Sequence, residues 1–445
     1  MTDRQNKFIF AARRRFATAL PRYHICMERQ PIRLDNYEPP CIKTAGGTVR
    51  AYTSKVICGD KAMTKLAEAA ADVMPAGRIA LCRSEGLDGL SSVAADILRK
   101  AGYFVDEYPV QDGSLDEKNL RDDDRLLIAV GGGSAANAVK HAASVRGSDW
   151  IYVMTCASTD SGLYSYAEFF ENGARSVQRC TPPAAVVADD AVICAAPARC
   201  TAAGFGTLCS KLLVLFSLRS EKLTDGKDDP AADLLEENLG YFFEETSCEN
   251  FAPRIARALI RTGLTEQCCP SPDYLQREEY TAALTLSAYT GGKRLIGEDM
   301  MLAFAAIRTL YGCYLEHAPS DLFLPCGFTE DFRMLDKLCG LDMLTLTSAF
   351  SRDPDCIRKM FVLREYRSEL ADILNGVIPS PQTLIRRFRR LYDDVGFWLG
   401  DYITPQKLLG IVNLSAALLR DGSMLRPLKQ SGFLDVVCRE MNVSL

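Results

Sequence analysis

Apolar residues along this chain follow two rhythms, and the change between them falls near residue 197. Before it, short apolar runs alternate with helical patterns. Residues 55–58, 78–82, 103–108, 126–130, 151–154 and 185–188 have the length and side-chain character of buried strands. A helical pattern fills 61–74, where Asp60 can cap the start and Pro75 and Gly77 mark the stop. A second fills 91–102, with Gly102 as its stop. Strands alternating with helices at this spacing predict a parallel sheet covered on both faces. Residues 165–180 read as two extended runs around Asn172-Gly173, a hairpin signal, and Thr181, Pro182 and Pro183 break the pattern. Residues 24–50, with Pro31, Pro39, Pro40 and the Gly46-Gly47 pair, read as irregular.

After Pro197 helical periodicity takes over, at roughly 198–220, 230–246, 250–263, 278–290, 297–316, 328–340, 380–394, 403–420 and 425–440. Pro230, Pro253, Pro379 and Pro405 sit near helix starts, where proline is tolerated. The chain therefore divides into an extension at 1–50, an α/β domain at 51–195 and an all-helical domain at 196–445.

One stretch adds chemistry to this plan. Gly131, Gly132, Gly133 and Ser134 follow the apolar run 126–130 directly, and a helical pattern starts at once. Consecutive glycines let backbone N–H groups approach a phosphate, and a helix start adds orphan donors and a partial positive charge. The pattern is not GxGxxG, so it is not the ordinary dinucleotide fingerprint. The next strand run ends in Thr155-Cys156-Ala157-Ser158-Thr159-Asp160. Taken alone, the glycines are a turn, Thr155 and Ser158 are helix caps, and Asp160 is a cap or a solvated acid. Both segments fall at the carboxyl ends of strands, where ligands of parallel sheets bind, and that coincidence favours a binding site.

Composition narrows the reading further. The 445 residues carry a net charge of −5, which gives no basic excess for nucleic acid. No unbroken apolar run approaches the ~18 residues of a membrane span. The 17 cysteines are scattered and odd in number, without a CxxC pair, and read as reduced, small apolar residues of a cytoplasmic protein. The Arg-rich start raises the question of a transit peptide, but it lacks serine enrichment and reads as an N-terminal helix.

The segments AVGGGSAANAVKHAA, TCASTDSGLYS and TPPAAVVADDAVICAAPARCTAAGFGTLCSK together resemble the sn-glycerol-1-phosphate dehydrogenases. The STD turn is also similar to that of glycerol dehydrogenases. Both groups belong to the iron-containing alcohol dehydrogenase, or dehydroquinate synthase-like, superfamily. The resemblance covers roughly 50–440, is strong in the α/β half and is weak between 265 and 380. It implies a Rossmann-like parallel-sheet domain followed by an all-α domain. It also implies hydride exchange between NAD or NADP and a small polyol or polyol phosphate, with a divalent metal of the zinc type as Lewis acid. A homo-oligomer is expected, with no nucleic acid partner.

Residue by residue, Gly131, Gly132, Gly133 and Ser134 match the pyrophosphate turn, Asn137 stands where the motif has an acid, and Lys140 is retained. Thr155 and Ser158 match contacts on the nicotinamide side, Asp160 the acid that contacts substrate hydroxyls, and Ser165, or Tyr164 by strict counting, the next cofactor contact. Glu85 ends an early strand, where an acid favours the free ribose hydroxyls of NAD. The metal half departs from the family. Thr207 stands at the ligand Asp, Asp299 at the first ligand His, and His317-Ala318 at the second His-Gly. Glu298 and Cys209 are substitute ligand candidates, and Lys211 or Lys293 could supply a cation in place of a metal. His24 and His141, the remaining histidines, lie outside the expected site. Two main readings follow: a divergent dehydrogenase, or a nucleotide-binding or regulatory homologue that has lost the metal. A lyase of the dehydroquinate synthase kind is a weaker third.

Overall fold

The apolar runs pair into one sheet in a computed structural model, which describes residues 40–44, 47–171, 174–226, 229–244, 251–269, 277–292, 294–317, 328–340, 343, 346–347, 356–378, 384, 403–419 and 423–440. Six strands take part: β3 (Lys55–Gly59), β4 (Arg78–Ser84), β5 (Phe104–Val110), β6 (Asp124–Gly131), β7 (Asp149–Met154) and β10 (Ala185–Asp189). Their spatial order is β3-β10-β7-β6-β4-β5, all parallel. The chain steps from β4 outward to β5, then returns to the other side of β4 to lay down β6. That reversal opens a crevice at the carboxyl ends of β4 and β6, the place where such sheets take ligands.

Side chains alternate across the sheet with period two. Ile79, Leu81, Leu126, Ile128, Val130, Ile151 and Val153 face one core, closed by α1 (Leu66–Val73) and α2 (Asp88–Lys100). Ala80, Cys82, Leu127, Ala129, Tyr152 and Met154 face the other, under α3 (Gly133–Arg146). This second core continues without a break into the helical half, through Phe205, Leu208, Phe216, Ile255 and Phe304. The described residues lie within one compact unit, Arg33–Leu445.

Among the described residues neither outer strand, β3 nor β5, has a second strand beside it. β5 carries Asp106, Glu107 and Pro109; Arg78 pairs with Asp106 at 2.7 Å, and Ser91 Oγ donates to Glu107 at 2.8 Å.

Two expectations in the α/β half need correction. Residues 41–44 and 47–50, read as irregular because of the prolines and the Gly46-Gly47 pair, pair antiparallel as β1 (Cys41–Thr44) and β2 (Gly47–Arg50). Ile42 is buried against Ala231 and Cys268. Nor does Asp60 cap the first helix. The segment starts with a 3-10 turn, Ala62–Lys65, after Lys61 in a left-handed conformation, and its Met63 N–H donates to Asp189 at 3.0 Å. Asp189, at the end of β10, also accepts from the Ala191 N–H, so one carboxylate caps two segments. β8 (Tyr166–Glu171) and β9 (Ala174–Arg179) pair antiparallel, Glu171 with Ala174, as the sequence predicts for the two runs; Asn172 and Gly173 lie outside the described residues.

In the helical half, α4 (Asp190–Ala195) leads into α5 (Ala198–Asp225), α6 (Pro230–Glu244), α7 (Phe251–Gln267), α8 (Glu278–Thr290), α9 (Ile296–His317) and α10 (Thr329–Cys339). The periodicity predicts no helix between 340 and 380. The structure places α11 (Cys356–Glu365), where Arg358, Lys359 and Arg364 interrupt the apolar stripe, and α12 (Arg367–Val377) there. The helix expected at 380–394 lies outside the described residues except for Leu384. α13 (Pro405–Ser415) starts with Thr404 capping the Lys407 N–H. The last pattern, 425–440, is two helices, α14 (Leu425–Gln430) and α15 (Phe433–Glu440), parted at Gly432, where φ is +77°. Among the described residues one stretch, Ala198–Leu223, is long and apolar enough to cross a membrane, and its apolar window is buried as the spine of the helical half.

Candidate functional site

The crevice is built by glycines that allow three chain segments to touch. A Cβ on Gly131 would collide with Ser84 Oγ at the end of β4 and lie 2.8 Å from the Ala135 Cβ. One on Gly132 would lie 3.0 Å from Cys156 Sγ, and one on Gly133 would lie 2.5 Å from Thr159 Cγ2 and 3.0 Å from Ser161 Oγ. These three positions therefore seat the loop after β7 directly on the turn after β6. The Thr155 N–H donates to the Gly131 carbonyl at 3.1 Å, continuing the β6–β7 register one step past the strands. Gly132 caps α3, and Ser134 stands exposed in its first turn. Glu85 is exposed directly after β4, on the far lip of the crevice.

The expected site residues thus divide. Glu85, Gly131, Gly132, Gly133, Ser134, Thr155 and Ser158 gather at the ends of β4, β6 and β7. Asn137 is instead engaged within its own helix, where its Oδ1 accepts from Lys140 Nζ at 3.1 Å. Ser165 sits at the foot of the hairpin, where its carbonyl accepts from the Cys180 N–H at 2.9 Å. Asp160 is 1% exposed and is held on both oxygens, by Tyr164 Oη and by Thr262 Oγ1 at 3.1 Å. Lys211 Nζ, equally buried, stands 3.9 Å from Asp160 and donates to Tyr164 Oη at 3.4 Å. Asp160 is therefore the centre of a buried cluster behind the crevice, and reaching a substrate would require that cluster to open.

Lys140 ties the crevice walls together. Its amine is wholly buried and donates to the carbonyls of Ser161, at 2.6 Å, and Tyr166, at 2.8 Å, besides Asn137. Burial pushes its pKa down to about 7. In the unfolded chain the amine titrates near 10.4, so between the two values the unfolded state binds more protons and stability rises with pH. Lys140→Met should remove this slope and strand three acceptors. Its destabilisation, read by urea unfolding, should exceed about 1 kcal/mol at pH 7 and grow toward pH 8.5. A pH-independent difference would show that the amine is not depressed.

The metal positions do not assemble. Thr207 Oγ1 donates to the carbonyls of Ala203, at 3.2 Å, and Ser158, at 3.4 Å, in a site 1% exposed. A neutral hydroxyl so engaged is a poor divalent-ion ligand. Asp299 is fully buried with Arg294, Nε to Oδ1 2.7 Å, and desolvation, partly offset by Arg294, raises its pKa to about 7. Glu298 is gripped by Arg199 through two bonds of 2.7 and 2.8 Å and also accepts from the Leu295 N–H. Cys209 is buried within α5. His317 ends the helix whose first turn holds Asp299, about 27 Å away along the axis at 1.5 Å per residue. Lys293 lies outside the described residues. Among the described residues no three His, Cys, Asp or Glu side chains come together as a metal cluster. The residues present do not fit the divalent ion that the family resemblance implies.

Sequence reasoning misses the partners that decide these roles. Arg294, Thr262 and Arg199 carry no motif, and only the folded chain brings them to Asp299, Asp160 and Glu298. Cys156 was within reach, because it lies inside the loop that carries Thr155 and Ser158.

This fold, a doubly wound parallel sheet joined to a helical half, with a glycine turn at the strand-order reversal, is that of the dehydroquinate synthase-like proteins. Residues 58–197 match the family model described as iron-containing alcohol dehydrogenase. The glycerol-1-phosphate dehydrogenase [NAD(P)+] of Thermococcus kodakarensis is 25% identical over 294 residues, covering 63% of this chain and 84% of that protein. The enzyme of the same name from Methanospirillum hungatei is 27% identical over 277 residues, covering 58% and 74%. Among solved structures, the alcohol dehydrogenase from Oenococcus oeni superposes with a TM-score of 0.54 at 15% identity, over 88% of this chain and 98% of that one. The chain is thus similar to iron-containing alcohol dehydrogenases over residues 58–197, and to glycerol-1-phosphate dehydrogenases over a longer span.

Proposed function

We propose that this protein binds a nicotinamide dinucleotide across the crevice and interconverts a small polyol, or its phosphate, with the matching ketone. The observation that carries the reading is the seating of the Thr155–Asp160 loop on Gly131–Gly133 at the strand-order reversal. In this reading the N–H groups of the turn and the N-terminus of α3 cradle the pyrophosphate. Thr155 and Ser158 line the nicotinamide side, and Lys140 keeps the two walls at fixed separation. A bound nicotinamide supplies the hydride acceptor or donor. No step is drawn through a divalent ion, because Thr207 and Asp299 are committed elsewhere. The substrate class follows the glycerol-1-phosphate dehydrogenases that the chain is similar to.

A second reading, a nucleotide-binding homologue without turnover, is favoured by one observation: the Arg294–Asp299 pair occupies the helix start where the family places a ligand histidine. One sample separates the two. Calorimetric titration with NADH and NADPH, followed by assay with dihydroxyacetone phosphate and glycerol 1-phosphate, gives binding with turnover for the first reading. Binding without turnover gives the second, and absence of binding removes both.

Glu85 tests cofactor choice within this reading. An exposed acid at the β4 end accepts from ribose hydroxyls and repels a 2′-phosphate. Glu85→Ser is expected to narrow a preference for NADH over NADPH by about tenfold, or about 1.4 kcal/mol. An unchanged ratio of dissociation constants would place the ribose elsewhere.

A further inference from the structure

A second concavity lies in the helical half. It opens between α5, α11 and the start of α14, with about 560 Å³ of empty space that is partly open to solvent. Ser217 and Ser220 of α5 line it, about 15–20 Å further along that helix than Thr207 at 1.5 Å per residue. Arg358 and Lys359 of α11 face them across the opening, and Val362 and Met424 supply apolar wall. The crevice reaction uses none of these groups. We propose that this concavity is a binding site for the phosphate monoester of a short polyol.

Charge selects an anion. Arg358 stands exposed and Lys359 half-buried, two adjacent cations that suit a phosphate dianion. Glu221, the carboxylate among the described lining residues, is engaged by Arg277, Nη1 to Oε1 2.5 Å. Behind Ser217 stands Glu278, fully buried, and burial raises its pKa, which weakens its opposition to an anion. The serines select the rest of the ligand. Ser217 Oγ donates to Glu278 Oε1 at 3.3 Å, and Ser220 Oγ donates to the Phe216 carbonyl at 2.7 Å. Each hydroxyl directs its proton inward and offers lone pairs to the concavity. A ligand that meets them must bring hydrogen-bond donors, as the hydroxyls of a polyol do. The apolar wall then takes the C–H groups of its carbon chain. Inorganic phosphate would meet the cations and leave the serine oxygens unmet, and glycerol would do the reverse.

The test is calorimetric titration of the full chain, without nucleotide, by glycerol 1-phosphate, inorganic phosphate and glycerol. Glycerol 1-phosphate is expected to bind at least about tenfold more tightly than either fragment. Arg358→Gln with Lys359→Gln should weaken it at least about tenfold, while NADH titrates as in the wild type. Ser220→Ala should narrow the advantage over inorganic phosphate by about threefold, and it decides the matter should the double variant not fold. Vesicles of phosphatidylglycerol, which present the same phosphoglycerol group, should not sediment the protein. Absence of saturable binding, or equal affinity for inorganic phosphate, would overturn the site. Unchanged affinity in the double variant would place the ester in the crevice instead, and capture by vesicles alone would make the ligand a lipid headgroup. The site stands apart from the crevice reading: a failed NADH titration removes that reading and leaves this one.

Discussion

Gly206→Val should leave little folded protein. Gly206 on α5 and Gly297 on α9 meet at a crossing so close that a side chain on either would run into main-chain carbonyl oxygen. A Cβ on Gly206 would strike the Gly297 carbonyl and lie 3.0 Å from the Met301 Cβ. A Cβ on Gly297 would strike the Ala203 carbonyl and lie 2.8 Å from Thr207 Oγ1. Main chain of two buried helices cannot swing aside as the end of a flexible side chain can. Valine at Gly206 must force the helices apart and open voids along Leu208, Phe304 and Ile307, all fully buried. The loss should be about 3 kcal/mol or more, at or beyond the upper end of overpacking effects, and visible as lost soluble yield and a lowered denaturant midpoint. Gly376→Ala is the contrasting case. Nothing lies within 4 Å of a Cβ there, and alanine in α12 should stabilise by up to about 1 kcal/mol. A Gly206→Val midpoint within about 0.5 kcal/mol of the wild type would show that the crossing can relax.

Arg294→Met is expected to be the other severe change. Arg294 and Asp299 are both shut off from solvent, so removing the guanidinium leaves a carboxylate in a dry site. Breaking such a pair from one side costs about 3–5 kcal/mol. The pH dependence identifies the cause. Asp299 already has a folded pKa near 7, above its unfolded value near 3.9, so between them the native state holds the extra proton and stability falls as pH rises. Arg294 is what restrains that rise. Without it the folded pKa climbs further, and the decline should extend past pH 7. The variant should lose more stability at pH 8 than at pH 6 in matched urea titrations. Equal losses at the two pH values would mean that Asp299 is not the group left behind.

Much of the fold was legible because burial sets the pattern. Strands β3, β4, β6, β7 and β10 are covered on both faces and read as short apolar runs, while α5 to α9 repeat their apolar stripe for several turns. What escaped has local causes. β1 and β2 are four residues each and follow two prolines, and α11 carries three basic residues among its apolar ones. The site was half legible. Glycine triplets and the loop after β7 are contiguous in sequence, so Gly131 to Ser158 could be placed together by reading alone. Buried pairs cannot be read in this way. Asp160 meets Thr262 from 102 positions away, and Glu298 meets Arg199 from 99 away. A carboxylate's identity is visible in sequence, but the partner that commits it to packing is not.

The outer strand β5 bears on a different matter, the company that the protein keeps at high concentration. An open parallel edge presents unpaired N–H and C=O groups to any passing extended chain. On β5, Pro109 removes one donor, while Asp106 and Glu107 are engaged by Arg78 and Arg99. A second copy approaching strand to strand would meet that missing hydrogen bond. Pro109→Val would restore the donor and leave the rim a more regular template for aggregation.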